Sequence, residues 1–387
     1  MNTSSDKKVL EIRAAIIGCG KIADEHATAI RSVPGSEVCA VCDNEPLMAW
    51  QMAERLGIPA HYANAEEMLR REKPAVVHIT TPPQSHYKLA RLCLELGCHV
   101  FVEKPFTLNA NEAVELIQLA ETKNLKVAAG HNHQWSPVAV KMRRLVQEGF
   151  LGGSPVHLES IFPYELGSGP YAKALLGDKS HWVRKLPGGL AHNVISHGVS
   201  KIAEFIQGDS PEVIAWGGQS RTLRGMGETE IFDELRVIVA GEDGGTAYFT
   251  FSSQIKPGRH ELRVYGPKNF LIADYAHQSL IKGERKAYKS YLNFFAPPAL
   301  YGRQHLKNAW NNLRAFLRRD FHMDTGRRRL VHEFYQSICA GTPVPISYHE
   351  IILTAKIMDS IFAQLQERTR GLSTKKTIPE IEPLIAH

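Results

Sequence analysis

Short apolar runs broken by turns alternate with amphipathic stretches through the first third of the chain. Ile12–Ile17 predicts a first strand, and Ile22–Ser32 a helix that Pro34-Gly35 stops. Glu37–Cys42 is the second strand. Asn44–Leu56 is a helix with apolar positions at Leu47, Ala49, Met52, Ala53 and Leu56, and Ala65–Arg70 is a shorter one. Ala75–Ile79 and His99–Val102 read as buried strands, each followed by a helix, at Ser85–Leu96 and Asn111–Lys123; Lys126–Ala129 closes the series. Continuous apolar strands separated by helices predict a mostly parallel sheet covered on both faces.

After Gly130 the rhythm changes. Val138–Glu148 and Leu190–Phe205 read as helices. Strands are expected at Glu212–Gly217, Asp233–Val239, Gly245–Ser252 and His260–Tyr265, with turns at Asp243-Gly-Gly and Pro257-Gly258. This pattern predicts an α+β domain on a predominantly antiparallel sheet. The chain therefore divides into residues 1–130 and 131–387, and the last helix, His349–Leu365, is placed to pack back toward the first domain. Residues 276–326 are the least legible, with aromatics around Tyr288–Phe295 and a break at Ala296-Pro-Pro. The basic amphipathic stretch Leu306–Arg319 leaves three readings open: a helix covering its own sheet, a subunit contact, or a peripheral membrane contact.

A length of 387 residues accommodates two domains, and no apolar run is long enough for a membrane span. The first ten residues lack the apolar centre of a secretory signal. The net charge of +6 is modest, and no nucleic-acid-binding module accompanies it, so no nucleic acid is expected as partner. The six cysteines, including the Cys39-x-x-Cys42 pair in a strand, read as reduced thiols of a cytoplasmic protein.

Chemistry enters at the end of the first strand. Gly18 permits the tight strand-to-helix turn, Gly20 lets backbone approach a pyrophosphate, and Ala23 keeps the helix close to the sheet. Lys21 and Ile22 lie at the helix N-terminus, whose free N–H groups suit phosphate. Asp43 ends the second strand, where its carboxylate can accept hydrogen bonds from ribose hydroxyls and disfavours a 2′-phosphate. A Rossmann domain binding NAD is the reading, with NADP left open. The third long strand ends in Thr80, Thr81 and Pro82, which would line the nicotinamide ribose; His86 either reaches the same crevice or caps the next helix. Glu103, Lys104 and Pro105 end the following strand beside that crevice.

Taken together and in this order, Gly18–Ala23, Thr80–His86, Glu103–Pro105 and the segment Pro187–His197 resemble the glucose-fructose oxidoreductase / inositol dehydrogenase / rhizopine catabolism family. The resemblance covers the first domain and much of the second. It implies that Lys104 is the active-site lysine and that His197 lies beside the reacting hydroxyl, with Asn193 at a position that is commonly aspartate. On one helix, residues 193 and 197 share a face. A neutral imidazole can accept the hydroxyl proton, and the lysine can stabilise charge on the oxygen. The activity implied is hydride transfer between nicotinamide and a secondary hydroxyl of a sugar, cyclitol or sugar conjugate. A glycosidase- or epimerase-like enzyme with tightly bound, internally recycled NAD, and a catalytically inactive cofactor-bound structural or sensor protein, are the alternatives. Candidate substrate contacts are His131, Asn132, His133 and Gln134, then Tyr164, Glu165, His181, Trp182 and Arg184, with His192 beside Asn193. The family's aromatic–arginine pair near His133 and Gln134 is missing. No metal is expected, since asparagine is a poor zinc ligand and no cysteine is near. A homodimer or homotetramer is implied.

Overall fold

The structure is a computed structural model, and it describes residues 12–166, 175–318 and 324–375. The first sheet is built from β1 (Ile12–Ile17), β2 (Ser36–Cys42), β3 (Ala60–Tyr62), β4 (Val76–Ile79), β5 (His99–Val102) and β6 (Val127–Ala129). Between them run α1 (Ala23–Arg31), α2 (Pro46–Leu56), α3 (Ala65–Glu72), α4 (His86–Glu95) and α5 (Ala110–Thr122). The strand order is β3-β2-β1-β4-β5-β6, all parallel. Sequence reversal between β1 and β4 leaves a crevice at the carboxyl ends of these strands. The only strand the apolar pattern missed here is the three-residue β3, whose residues are not fully buried and carry little signal.

Beyond α6 (Pro137–Gln147) comes β7 (His157–Pro163). The paired helices α7 (Gly189–Val194) and α8 (Ser196–Ala203) lead to β8 (Glu212–Gly218), α9 (Arg221–Gly225), β9 (Glu234–Ala240), β10 (Thr246–Ser252), β11 (Glu261–Tyr265), β12 (Asn269–Asp274) and β13 (Ser279–Glu284). The second sheet runs β13-β12-β11-β7-β10-β9-β8, antiparallel except for the β7–β10 pair. β7 alternates buried Leu158, Ser160 and Phe162 with half-buried neighbours, a period of two that the sequence reading passed over. The expected single helix Leu190–Phe205 is interrupted at Ile195, which joins α7 to α8 while keeping helical dihedrals.

Three further helices finish the chain: α10 (Ala296–Leu317), α11 (Thr325–Ala340) and α12 (Tyr348–Lys375). Ala296-Pro-Pro is a start, not a break. Pro297 and Pro298 occupy the first turn, where the missing N–H groups cost nothing. α11 returns to the first sheet, where Leu330, Val331, Phe334 and Tyr335 join its core. α12 spans both cores: Ile351 packs into the first, and Ile357, Ile361 and Phe362 into the second. Among the described residues no helix is long and apolar enough to cross a membrane.

The crevice depends on one close approach. Gly18 has a φ of +98°, and a Cβ there would lie 2.7 Å from the Thr81 backbone nitrogen. Backbone atoms of a neighbouring strand end cannot yield as a flexible side chain can. Gly18→Ala is expected to destabilise the protein by about 2 kcal/mol. Urea unfolding of the two proteins measures it, and equal midpoints would contradict the account.

Candidate active site

The turn after β1 is shaped for a diphosphate. A Cβ on Gly20 would meet nothing within 4 Å, so the backbone there faces open space. α1 has no side-chain cap at its N-terminus, and Gly20 and Lys21 are exposed at the rim beside Ile22. The Asp43 carboxylate accepts from the Cys19 backbone N–H at 2.7 Å and the Glu45 N–H at 3.0 Å. Those bonds fix its direction, and each carboxylate oxygen retains capacity to accept a hydroxyl. The residues present thus fit a dinucleotide with a free ribose. Thr80 Oγ1 donates to the Gly18 carbonyl at 2.6 Å, and Thr81 Oγ1 accepts from Ser85 at 2.7 Å, tying the two turns together beside Pro82.

His86 plays a different part from a cofactor contact. It is buried, and its two ring nitrogens face the carbonyls of Thr81 and Pro105, each at 2.9 Å. The ring clamps the β4 turn to the β5 turn and has no nitrogen left for a ligand.

Glu103 braces Lys104. The carboxylate is buried and accepts from His26 Nε2 at 2.8 Å and from the Lys104 backbone N–H at 3.1 Å; Arg327 Nε lies 3.6 Å away. Burial pushes its pKa up, but the His26 bond and the charges of Arg327 and Lys104 overcome this and hold it far below the usual carboxylate range. The Lys104–Pro105 peptide is cis. Lys104 Nζ donates to the main-chain carbonyl of Asn193 at 3.1 Å. Thus Asn193 contributes a backbone carbonyl to the lysine, a role open to any residue at that position. Burial lowers the Lys104 pKa, with Glu103 opposing and Arg327 assisting.

His197 stacks on His133, ring centroids 4.0 Å apart. Burial drives the His197 pKa well below its ordinary value, and His133 and Lys104 add to the effect, so the ring is neutral. His133 is pushed down to about 3 by burial and by Lys201. Next to this stack lie His260 and Tyr275, with the fully buried Lys201 donating to His260 Nε2 at 2.8 Å. Burial brings the Lys201 pKa down to about 7. A cavity of about 530 Å³ opens from His133, His260 and Tyr275 toward Asn132, Asn308 and Asn312. His133 forms its wall on the His197 side. Asn132 Oδ1, His133 Nδ1 and His197 Nδ1 are buried without a hydrogen-bond partner among the described residues, which points to a polar ligand at this end.

Several expected substrate contacts lie elsewhere. Arg184 is held by Glu228 at 2.7 Å, by Glu230 at 3.1 Å and by the Leu175 carbonyl, so its charge is already matched. His192 is buried and stacks on Phe362 at 4.8 Å, turned away from His197 as adjacent helical positions are. Trp182 gives its carbonyl to Gln84, a bridge between the domains, while its ring stacks on His181. Tyr164 packs on Phe251. None of these four lines the large cavity. Sequence reading also missed Lys201, His260, Tyr275, Arg327 and His26. Lys201 follows His197 by four positions, so a lysine on a buried helical face was the available signal; Arg327 was hidden in a basic run that looks solvated.

Residues 12–131 match the model of an oxidoreductase family with an NAD-binding Rossmann fold. That match, confined to the first domain, is to the family that the motifs of the sequence resemble. It is 33% identical over 142 residues to D-glucoside 3-dehydrogenase of Escherichia coli, covering 36% of this chain and 40% of that protein. The aligned part is thus about two fifths of that relative's length. Myo-inositol 2-dehydrogenase of Thermotoga maritima is 22% identical over 73% of this chain and 82% of its own. The solved structure of levoglucosan dehydrogenase with NADH and levoglucosan superposes with a TM-score of 0.72 at 17% identity, over 92% of this chain and 97% of that one. That last likeness establishes the shared fold.

Among the described residues eight buried or half-buried imidazoles carry lowered pKa values, His131 and His192 at about 4 among them. Unfolded, each would titrate near 6.5. Between that value and the folded one the unfolded chain binds more protons, so stability falls as pH drops below about 6.5, by up to about 1.4 kcal/mol per pH unit per histidine. Glu103, depressed when folded, adds a loss that begins near pH 4.3. Unfolding midpoints measured from pH 8 to pH 5 should decline steadily; a flat profile would contradict these buried neutral rings.

Proposed function

We propose that this protein is an NAD-dependent dehydrogenase acting on a secondary hydroxyl of a sugar, cyclitol or sugar conjugate. The observation that carries the reading is Lys104 Nζ, at the carboxyl end of β5, donating at 3.1 Å to the carbonyl of Asn193, four residues before His197, an imidazole whose buried Nδ1 has no hydrogen-bond partner among the described residues. NAD, when bound, supplies the hydride acceptor. Gly18, Gly20 and the α1 N-terminus hold its diphosphate, and Asp43 holds the adenosine ribose. Lys104 orients the substrate oxygen and stabilises its negative charge as the hydroxyl proton passes to His197. The amide-rich cavity, with Asn132, Asn308, Asn312 and Gln278 in its wall, suits a ligand with many hydroxyls. The relatives' names, two sugar dehydrogenases and an inositol dehydrogenase, support the same substrate class.

The first 130 residues bind the cofactor; the remainder binds substrate and forms the assembly. On the outer face of the second sheet Ile214, Ile238 and Tyr248 form an exposed apolar row across β8, β9 and β10, beside Trp216. Such a face favours a homo-oligomer. Five of six cysteines are buried, and none is in a disulfide, in keeping with a cytoplasmic protein.

Lys104→Met and His197→Ala should each lower kcat/KM about 10²- to 10⁴-fold in a sugar-alcohol panel read by NADH absorbance, while NAD still binds in fluorescence titration. Full activity in the double variant would exclude this chemistry. Asp43→Ala should shift the NAD-to-NADP preference toward NADP by roughly tenfold or more, since a charge repelling the 2′-phosphate is gone. An unchanged ratio would remove Asp43 from the ribose site.

A further inference from the structure

α10 is amphipathic the wrong way round. Its inward face is polar. Gln304 exchanges hydrogen bonds with both backbone groups of Lys282, at 2.8 and 3.0 Å; Asn308 donates to the Leu280 carbonyl at 2.9 Å; Asn312 donates to the His277 carbonyl at 2.7 Å. These amides close the backbone edge of β13, so the helix is fastened to the sheet without an apolar seam. The opposite face carries Leu306, Trp310, Leu313 and Leu317, exposed by 74, 58, 46 and 70%. With about 3.6 residues per turn, those four form one stripe facing directly away from the Gln304–Asn308–Asn312 row. Phe294 and Phe295, exposed by 78 and 69%, extend it at the N-terminal end. Isolated exposed apolar residues are ordinary, but a contiguous stripe of this size marks an interaction surface.

Charge selects the partner. From Arg285 to Arg319 the chain has eight Lys and Arg residues and no Asp or Glu. Arg303, Lys307, Arg314 and Arg318 line one flank of the apolar stripe, where long side chains can reach past a nonpolar layer to anionic groups. A cavity of about 260 Å³ on that flank is lined by Lys282, Lys286, Arg303 and Lys307; its one carboxylate, Glu284, is paired with Lys286 at 2.6 Å. A second copy of this chain would oppose like charge to like charge at this face. An anionic lipid surface instead matches both parts, with Trp and Phe at the interface and basic side chains at the headgroups.

We infer that α10 and the Tyr291–Phe295 turn before it dock this protein on the surface of an anionic bilayer, peripherally and reversibly. The inference is independent of the proposed reaction. Residues on the inward face of the same helix, Asn308, Asn312 and Ala315, line the cavity beside His133, so the docked helix would separate that cavity from the lipid.

Cosedimentation of the full chain with phosphatidylcholine vesicles, with and without one quarter phosphatidylglycerol, tests it. Binding is expected only with the anionic lipid, and should fall as salt is raised from 20 to about 300 mM. Leu306→Asp/Leu317→Asp should lower the partition coefficient roughly tenfold or more. So should Arg303→Glu/Lys307→Glu, at about 1 kcal/mol per basic residue. Both pairs project outward, and unchanged circular dichroism and unfolding midpoint show that the fold survives. No binding to anionic vesicles at 20 mM salt would overturn the proposal. So would a wild-type oligomer that the Leu306→Asp/Leu317→Asp pair converts to monomer, because the stripe would then be a subunit contact.

Discussion

A single buried carboxylate organises the site. Glu103 sits at the end of β5, accepts from His26 on α1 and from the Lys104 backbone N–H, and has the Arg327 guanidinium of α11 3.6 Å away as counter-charge. Behind it runs a chain of buried hydrogen bonds. The Tyr335 hydroxyl lies 3.0 Å from His78 Nε2, His78 Nδ1 lies 2.8 Å from His26 Nδ1, and His26 Nε2 lies 2.8 Å from Glu103. An unpaired buried carboxylate would be costly, and this one is stable because opposite charge and hydrogen bonds surround it. Arg327, itself also paired with Glu25 and Asp324, thus brings a residue from far along the chain to the backbone from which Lys104 springs.

That dependence explains the chain's order. The first domain alone gives Glu103 the His26 and Lys104 hydrogen bonds but not the Arg327 charge. α11 returns after nearly two hundred residues to supply Arg327 and Tyr335, and it inserts Phe334 against Phe101. α12 then ties both cores together. The second sheet is thereby fixed relative to β5, and α7 can offer the Asn193 carbonyl to Lys104. The crevice is a product of both domains, held by polar contacts at its floor and apolar packing around it.

The first domain was largely legible because parallel strands buried on both faces read as apolar runs, and the glycine turn between β1 and α1 has strict steric needs. Lys104 and His197 were legible as motif positions. What could not be read was which polar atom meets which. Asn193 suggested a side-chain role, and nothing in the sequence signalled that its main-chain oxygen holds the lysine. Arg184 looked like a ligand residue, but Glu228, forty-four positions later, had claimed it. β12 and β13 escaped because they alternate weakly and are followed by aromatic residues that resemble a core. The outward aromatics of α10 defeat any reading that assumes apolar means buried.

The amide clasps of α10 carry one more implication. A lid seated on a greasy seam leaves only by exposing that seam to water, whereas the side-chain amides that hold β13 and the turn before it trade their four bonds for water at a net cost of about 0.5–1.5 kcal/mol each. The roof over the histidine end can therefore lift and reseat while both cores stay folded, and solute exchange with the interior needs no wider opening of the molecule.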